Sequence, residues 1–513
     1  MQGKKDYQEK LFTHFQLSDR IPSENFYRRL KALLDLSFLY KLTKDYYGTC
    51  GQKSIDPVVF FKLSLVGYLE NIISDRQLIS HCSKRMDILY FLDYDIDDTL
   101  PWHSTVSRTR QLFPEAVFDE VFNHVLSLCV SKGMVSGHTQ VVDSAPVKAN
   151  ASMDSLELKV PAEELDEHLR RVRYMSSADR QAKANKASKA QQTIDASARD
   201  LKALESRNKK WQKDQDERPG ANNKGAKYTS NKTHYSPTDP DARISVKPGK
   251  ARKLNYLSQM AVDTAHHVIT DIHADFAHQK DNQHLQDITK RLKRRLVKQG
   301  LLWRNFLADA GYSSGENYAF LEANGLVSYI PPHGTYKGGP EGFVYHEQED
   351  YYTCEQNEKI FFRKIITEKK NAIKKRVYAA KRSSCKHCPI KERCIGKSAE
   401  KRFYITAYRK EYERAIARVN SKRGRYMKSK RQSTVEPVFG TLTQFLGMRK
   451  VNTKGIKQAN KVMLMAGTAY NLKKCLKFAA KKVNNGVRAV KLHWSTIFWL
   501  TRPIWKPCAP LIF

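Results

Sequence analysis

The sequence has no uninterrupted apolar stretch near the roughly 20 residues that a membrane-spanning helix needs. Its most apolar late segment, Trp494 to Leu500, is short and runs into Arg502, Pro503 and Lys506. Met1-Gln-Gly-Lys-Lys-Asp has no apolar run behind it, so no secretory leader is expected. Lipidation motifs are missing as well. Acidic residues are scarce beside basic ones: 53 Asp plus Glu face 90 Lys plus Arg, a net charge of +37 spread along 513 residues. Without an anchor, that charge argues for a protein that neutralises phosphate rather than one that coats a membrane. Cysteine is sparse and mostly unclustered. Cys50, Cys82, Cys129, Cys475 and Cys508 read as inert thiols of a reducing, cytoplasmic chain. The length suits about three domains.

Residues 1–135 carry helical signals. Pro22-Ser23-Glu24 opens an apolar-periodic stretch with Phe26, Leu30, Leu33 and Leu34. Asp56-Pro57 is a helix cap followed by proline in the first turn, and Ser74-Asp-Arg-Gln77 spells a capping box. A short basic helix follows over His103, Thr105, Arg108 and Arg110, then a longer one from Phe113-Pro114 to about Gly133. Short helices ending in one with exposed Thr and Arg resemble a helix-turn-helix DNA reader, although an ordinary helical bundle has the same spelling.

His138-Thr-Gln-Val-Val-Asp143-Ser144-Ala-Pro146 is a β-branched run that ends on an acid, with Pro146 expected to stop it soon after. Leu257 to His273 reads as a two-stranded hairpin, Asp281 to Leu301 as a basic helix, and Phe306-Leu-Ala-Asp309 as a strand that again ends on an acid. A helix from Ser314 to Asn324 and a strand from Leu326 to Ile330 complete the order. Strand, long insert, two strands, helix, strand, helix, strand and closing helices match the ribonuclease-H-like α/β plan. The core is then residues 136–154, 251–334 and 426–480. It is interrupted by a charged helical and loop insertion at 155–250 and a second insertion at 335–425, with a basic, apolar tail at 481–513.

Two-metal phosphodiester chemistry needs hard oxygen donors on separate elements that hold the ions about 3.5–4 Å apart. Asp143, Asp309 and Glu436, the last in Thr434-Val-Glu436-Pro437-Val-Phe-Gly440, are the acids expected to meet. Asp263 and Asp275 rival Asp143, but Asp263 adjoins a tight turn where a turn-forming role is simpler. Ser433-Thr-Val-Glu436 also spells a capping box, so Glu436 has a purely structural reading that Pro437 complicates.

The chain resembles the DDE transposases of bacterial insertion sequences. The resemblance rests on Leu100-Pro-Trp-His-Ser-Thr-Val-Ser-Arg108, Val142-Asp-Ser-Ala-Pro-Val-Lys148-Ala-Asn150, Thr238-Asp-Pro-Asp-Ala-Arg243, Ala308-Asp-Ala-Gly-Tyr312, Val435-Glu-Pro-Val-Phe-Gly440 and Ala469-Tyr-Asn-Leu472. It implies Asp143, Asp309 and Glu436 as Mg²⁺ (or Mn²⁺) ligands and cleavage at the ends of the protein's own element. It further implies transfer of the freed 3′-hydroxyl to target DNA, end recognition by the helical domain and a homodimer on DNA in the bacterial nucleoid. Lys148, Tyr426 and Arg431 become expected DNA contacts. The family's lysine after the glutamate is missing, since Thr443 stands about there, and Arg449 or Lys450 is the expected substitute. No Trp lies between residues 309 and 436, leaving Tyr345, Tyr351 or Phe361 to stack a displaced base. A structure-specific nuclease and a non-catalytic DNA-binding repressor are the competing functions.

Cys385-Lys-His-Cys388-Pro-Ile-Lys-Glu-Arg-Cys394 is C-x2-C-x5-C. In a reducing compartment this spacing favours metal, with Cys354 as fourth ligand and His387 as second choice. A structural Zn²⁺ is expected, with an iron–sulfur cluster as the alternative.

Overall fold

The computed structural model describes residues 15–48, 50, 54–161, 195–216, 229–245, 252–334, 339–368 and 373–478. The chain divides into residues 1–476 and 477–513. All but the last two described residues belong to the first unit, and the 481–513 tail lies outside the described residues.

The N-terminal region is helical as its caps require. Helix α1 (Phe26–Leu33) starts on Asn25, whose Oδ1 accepts from the amides of Tyr27 and Arg28. This is later than Pro22-Ser23-Glu24 suggests. Asp56 caps α2 (Pro57–Leu69), and Ser74 caps α3 (Asp75–Cys82). α4 (Met86–Leu92), α5 (His103–Leu112) and α6 (Glu115–Ser131) follow. Phe60, Phe61, Phe113 and Phe118 interlock edge to face and stacked among them.

The central sheet is built from β1 (Thr139–Lys148), β2 (Lys253–Asp263), β3 (Ile269–Phe276), β4 (Asn305–Leu307) and β5 (Val327–Tyr329). Its spatial order is β3-β2-β1-β4-β5, with a short edge strand, Arg243–Ser245, also on β2. β1, β2 and β3 run antiparallel, whereas β4 is parallel to β1 and β5 parallel to β4. This is the ribonuclease-H-like arrangement. β1 runs on past Pro146, contrary to the sequence reading. The amide of Ala149 donates to Leu254 O (2.9 Å). In that parity the even-numbered amides of β1 face away from β2, and β4 pairs only with residues 139–141. Proline at 146 therefore costs no ladder bond.

One face of the sheet is covered by α7 (Asp281–Lys298) and α8 (Gly315–Ala323). Leu285, Ile288, Leu292 and Leu296 recur at helical spacing and pack with Val142, Ala261 and Phe306. The far edge of β3 is sealed by α11 (Ile456–Lys477). Asn471 accepts from Ile269 N at 2.9 Å and donates to Ile269 O at 2.8 Å, and Asn460 Oδ1 accepts from Ala274 N at 3.0 Å. Two side-chain amides thus stand in for a missing strand.

Between β5 and the closing helices lies a second antiparallel sheet, β6 (Val344–His346), β7 (Tyr351–Thr353), β8 (Lys359–Thr367), β9 (Lys374–Ala379) and β10 (Arg402–Thr406). Tyr352, Ile360 and Tyr378 form its small core, with Cys354, Cys385 and Phe403 packed against it. α9 (Arg409–Asn420) then leads back to α10 (Lys422–Phe445). The α9–α10 corner is tight: a methyl group on Gly424 would lie 2.1 Å from Arg418 O. In the 155–250 insertion, Ala198–Asp216 is helical as expected. Val160–Pro161 pairs with Asp195–Ala196 as a short strand, and residues 162–194 lie outside the described residues.

Candidate active site

Asp143 sits in the middle of β1, opposite Met260 on β2. Its carboxylate accepts from Ser144 N at 2.8 Å and from Arg431 Nη1 at 2.9 Å, and its side chain is 18% exposed. Burial pushes this carboxyl up to about 6; Asp309 and Asp281 add to the rise while the Ser144 amide and Arg431 oppose it. Asp309 follows β4 and caps the turn Ala310–Tyr312, its Oδ1 accepting from Gly311 N at 3.0 Å. Its pKa is also raised, by burial first and by Asp281 second. Glu436 lies on α10 with its carboxylate 3.9 Å from Arg431 Nη2 and 63% exposed. α10 turns Met427, Thr434, Val435, Val438 and Leu442 inward. Arg431 shares that stripe, which aims its guanidinium at β1. All four residues line one cleft of about 720 Å³.

Glu436 is not a helix cap. α10 starts at Lys422, where Ser421 Oγ accepts from Gly424 N at 3.0 Å. Ser433 and Thr434 instead donate their hydroxyls backwards to Lys430 O (3.1 and 2.7 Å). Pro437 falls inside the helix, which continues through it over the buried Val435, Val438 and Leu442. Asp263 loses its rivalry with Asp143. Fully buried, it accepts from Gly137 N and Gln140 Nε2, each at 2.8 Å, from Ala265 N at 2.9 Å and from Ser136 Oγ at 3.2 Å. These donors make it a structural anchor of the β1–β2 end. Asp275 faces His284, Nδ1 to Oδ2 3.3 Å, outside the cleft lining.

Two features escape the sequence reading. Asp281, first residue of α7, lines the same cleft and accepts from Ser144 Oγ at 2.6 Å. Asp239 and Asp241 of the Thr238–Arg243 motif hold the start of α11. Asp239 Oδ1 accepts from Gly455 N (3.0 Å) and Tyr256 OH (2.7 Å), and Asp241 Oδ2 accepts from Ile456 N (3.0 Å).

Among the expected DNA contacts, Arg108 is exposed on α5, with His103 and Thr105 half-buried. Arg110 is a correction. It is 9% exposed and donates twice to Asp75, at 2.9 and 2.6 Å, locking α5 against α3. Lys461 Nζ donates to the carbonyls of Arg110 and Phe113 (2.8 and 2.6 Å), fastening the end of α5 to α11. Arg108→Ala should therefore weaken DNA binding and reduce its salt slope by about one. Arg110→Ala should instead lower unfolding stability by about 3 kcal/mol, because it leaves the half-buried Asp75 without its cation. Denaturant titration and salt-dependent binding on both variants separate the roles; equal effects of the two on DNA affinity would contradict the assignment.

Tyr426 on α10 is 62% exposed, and Lys148, Arg449 and Lys450 are exposed. Val451 N donates to Lys148 O at 2.8 Å, which sets Lys148 beside Lys450. Thr443 spends its hydroxyl on Phe439 O (2.8 Å). Of the aromatics considered for base stacking, Tyr345 packs 4.7 Å from Tyr352 and donates to Asp350, and Tyr351 is buried. Phe361 remains 38% exposed.

Cys354, Cys385, Cys388 and Cys394 line a common pocket of about 190 Å³. Among the described residues, no three His, Cys, Asp or Glu side chains are arranged as a ready-made metal-ligand set, in this pocket or in the acidic cleft. The donor chemistry nevertheless suits the expected ions. The cleft offers hard carboxylate oxygens that repel one another, and the pocket offers soft thiols. No helix among the described residues is long and apolar enough to cross a membrane.

Residues 15–112 match a family model described as a transposase domain (DUF772), and residues 353–476 match one described as a transposase DDE domain. Glu436 and Arg431 fall inside the second match, while Asp143 and Asp309 lie outside both. The chain has no match among curated proteins. Transposase matches on either side of a ribonuclease-H-like sheet have one common reading: they support a DDE transposase of an insertion sequence.

Proposed function

We propose that this chain binds the ends of its own element through residues 1–135, cleaves there in a metal-dependent reaction and joins the freed strand to target DNA. The observation that carries this reading is the meeting of Asp143, Asp309, Glu436 and Arg431 in one cleft. When bound, Mg²⁺ or Mn²⁺ supplies activation of the attacking oxygen and stabilisation of the leaving one. Asp143, Asp309 and Glu436 are the residues that would hold it.

In the first step a water oxygen bonds to the end phosphorus and the P–O3′ bond breaks, leaving a 3′-hydroxyl and a 5′-phosphate. In the second, that 3′-hydroxyl attacks a target phosphorus and expels the target's own 3′-oxygen. Arg431 restrains Asp143 in the DNA-free chain. Its second nitrogen faces Glu436, so the guanidinium stands where it can grip a phosphate between the two acids. Tyr426, Lys148, Arg449 and Lys450 extend the positive, exposed rim along which a duplex would lie. Uniting two ends calls for two copies of the chain, hence a homodimer on DNA. The four cysteines would hold a structural Zn²⁺ that pins the loop after β9 to the second sheet; atomic absorption on the purified chain tests this.

The test of the function uses the full chain, a plasmid carrying the element's ends, and a second plasmid as target. With Mg²⁺ we expect nicked or cut ends and a joined product, both lost with EDTA. Cutting without joining would favour the structure-specific nuclease. Binding without cutting would favour the repressor.

A further inference from the structure

We propose that Asp281 is a fourth carboxylate of the catalytic cleft and an oxygen ligand of the divalent cation held there, acting beside Asp143, Asp309 and Glu436. This rests on the metal-dependent reading above and adds a residue to it.

Sequence pattern gives Asp281 a bland role. It opens an 18-residue helix, where an acid favourably meets the positive end of the helix dipole. A solvent-facing carboxylate would satisfy that preference. Asp281 does not face solvent alone. The loop after β3 places it in the cleft with Asp143 and Asp309, along with Gln279, Lys280 and Asn282. It touches both catalytic acids through their neighbours. Ser144, which follows Asp143, donates its hydroxyl to Asp281 Oδ1 at 2.6 Å. Gly311, inside the turn that Asp309 caps, lies against the other oxygen: a methyl group there would be 3.0 Å from Asp309 Oδ1 and 3.1 Å from Asp281 Oδ2. The two carboxylates thus converge on one backbone position, with little room left between them.

The charge balance points the same way. Four acids line this cleft, and Arg431 is the cation paired with Asp143 and close to Glu436. Among the described residues, no Lys or Arg forms an ion pair with Asp281 or Asp309. The partners of Asp281 and Asp309 are a hydroxyl and a backbone amide. A cleft that leaves two of its four carboxylates without an ion pair has left part of its neutralisation to something else. A second observation supports a cation. The buried amide oxygen of Asn282, also lining the cleft, has no hydrogen-bond partner, and it is another hard oxygen donor. Asp281 is joined to Asp143 through Ser144 and meets Asp309 at Gly311, so it bridges these two acids from the helix side.

The experiment measures Mn²⁺ binding to the full chain without DNA, by loss of the free-ion electron paramagnetic resonance signal, for native, Asp281→Asn, Asp281→Glu and Ser144→Ala proteins. Asn is isosteric and still accepts from Ser144, so melting curves should match and report intact folding. We expect Asp281→Asn to weaken Mn²⁺ binding at least about tenfold and to raise the metal concentration needed for end cleavage by a similar factor. Asp281→Glu should recover part of the affinity, and Ser144→Ala should lose less than Asp281→Asn. Native Mn²⁺ affinity in Asp281→Asn would overturn the proposal. If cleavage persists in Asp143→Asn, the parent reading fails. If Asp143→Asn is inactive while Asp281→Asn binds Mn²⁺ normally, only the role of Asp281 fails.

Discussion

Asp143→Asn is expected to leave the chain folded and bound to the element's ends while reducing end cleavage about 10³-fold or more. The amide keeps the shape of the carboxylate, and its oxygen can still accept from Ser144 N. It removes a charge from the one strand-borne acid that Arg431 engages directly. Charge stabilisation by a bound metal is worth several kcal/mol at a transferring phosphoryl group, and each 1.36 kcal/mol is about tenfold in rate. Losing the proposed metal ligand should therefore remove about three powers of ten. The variant's melting temperature should be no lower than the native one. Burial beside Asp309 and Asp281 already disfavours a charge at this position, and an amide relieves that conflict. DNA binding, which we assign to the exposed basic residues, should stay within about twofold. Single-turnover cleavage with gel-shift and melting controls reads all three quantities. Near-native cleavage by Asp143→Asn would reject this acid as a catalytic ligand.

The sheet was legible because its signals are local. The β2–β3 hairpin alternates and turns within one stretch, and Ser314 and Gly325 bracket α8 as their cap chemistry requires. Asp143 and Asp309 stood out because an acid ends each apolar run. Glu436 was harder, since Ser433 to Glu436 spells a cap in four letters while the true start of α10 is fixed by Ser421 and Gly424 on an earlier turn. Arg110 and Arg108 look alike in sequence; only the packing of α5 on α3 shows which one meets Asp75. Asp281 had no local signal. Its sequence is that of a basic amphipathic helix, and its relation to Asp143 and Asp309 exists only once β1, β4 and α7 are assembled. The second sheet shows in the sequence only as an insertion at 335–425, because its strands alternate weakly and its core is only a few side chains wide.

The largest stability effect should come from Asp271, which has no part in the cleft. It lies on β3, 1% exposed, and accepts from Arg295 Nε and Arg291 Nε on α7, each at 2.8 Å. Arg295 also reaches Asp119 and Asn123 on α6, so one guanidinium joins the sheet, its covering helix and the N-terminal helical region. Burial alone would raise the pKa of Asp271. The two arginines, with help from His273, outweigh it and hold the carboxyl below its ordinary value. Asp271→Asn takes from Arg291 and Arg295 the buried anion they share, and breaking such a pair costs about 3–5 kcal/mol. The pH dependence has a definite sign. A depressed folded-state pKa means that the unfolded chain takes up the proton first as pH falls. The stabilisation is complete above the unfolded value, about 3.9, and is lost as pH drops through the lower folded value. Urea titrations should show native stability falling through this acid window more steeply than that of Asp271→Asn, whose curve lies lower at neutral pH and converges on the native one in acid. Parallel curves for the two proteins would mean that the carboxylate contributes nothing through its charge.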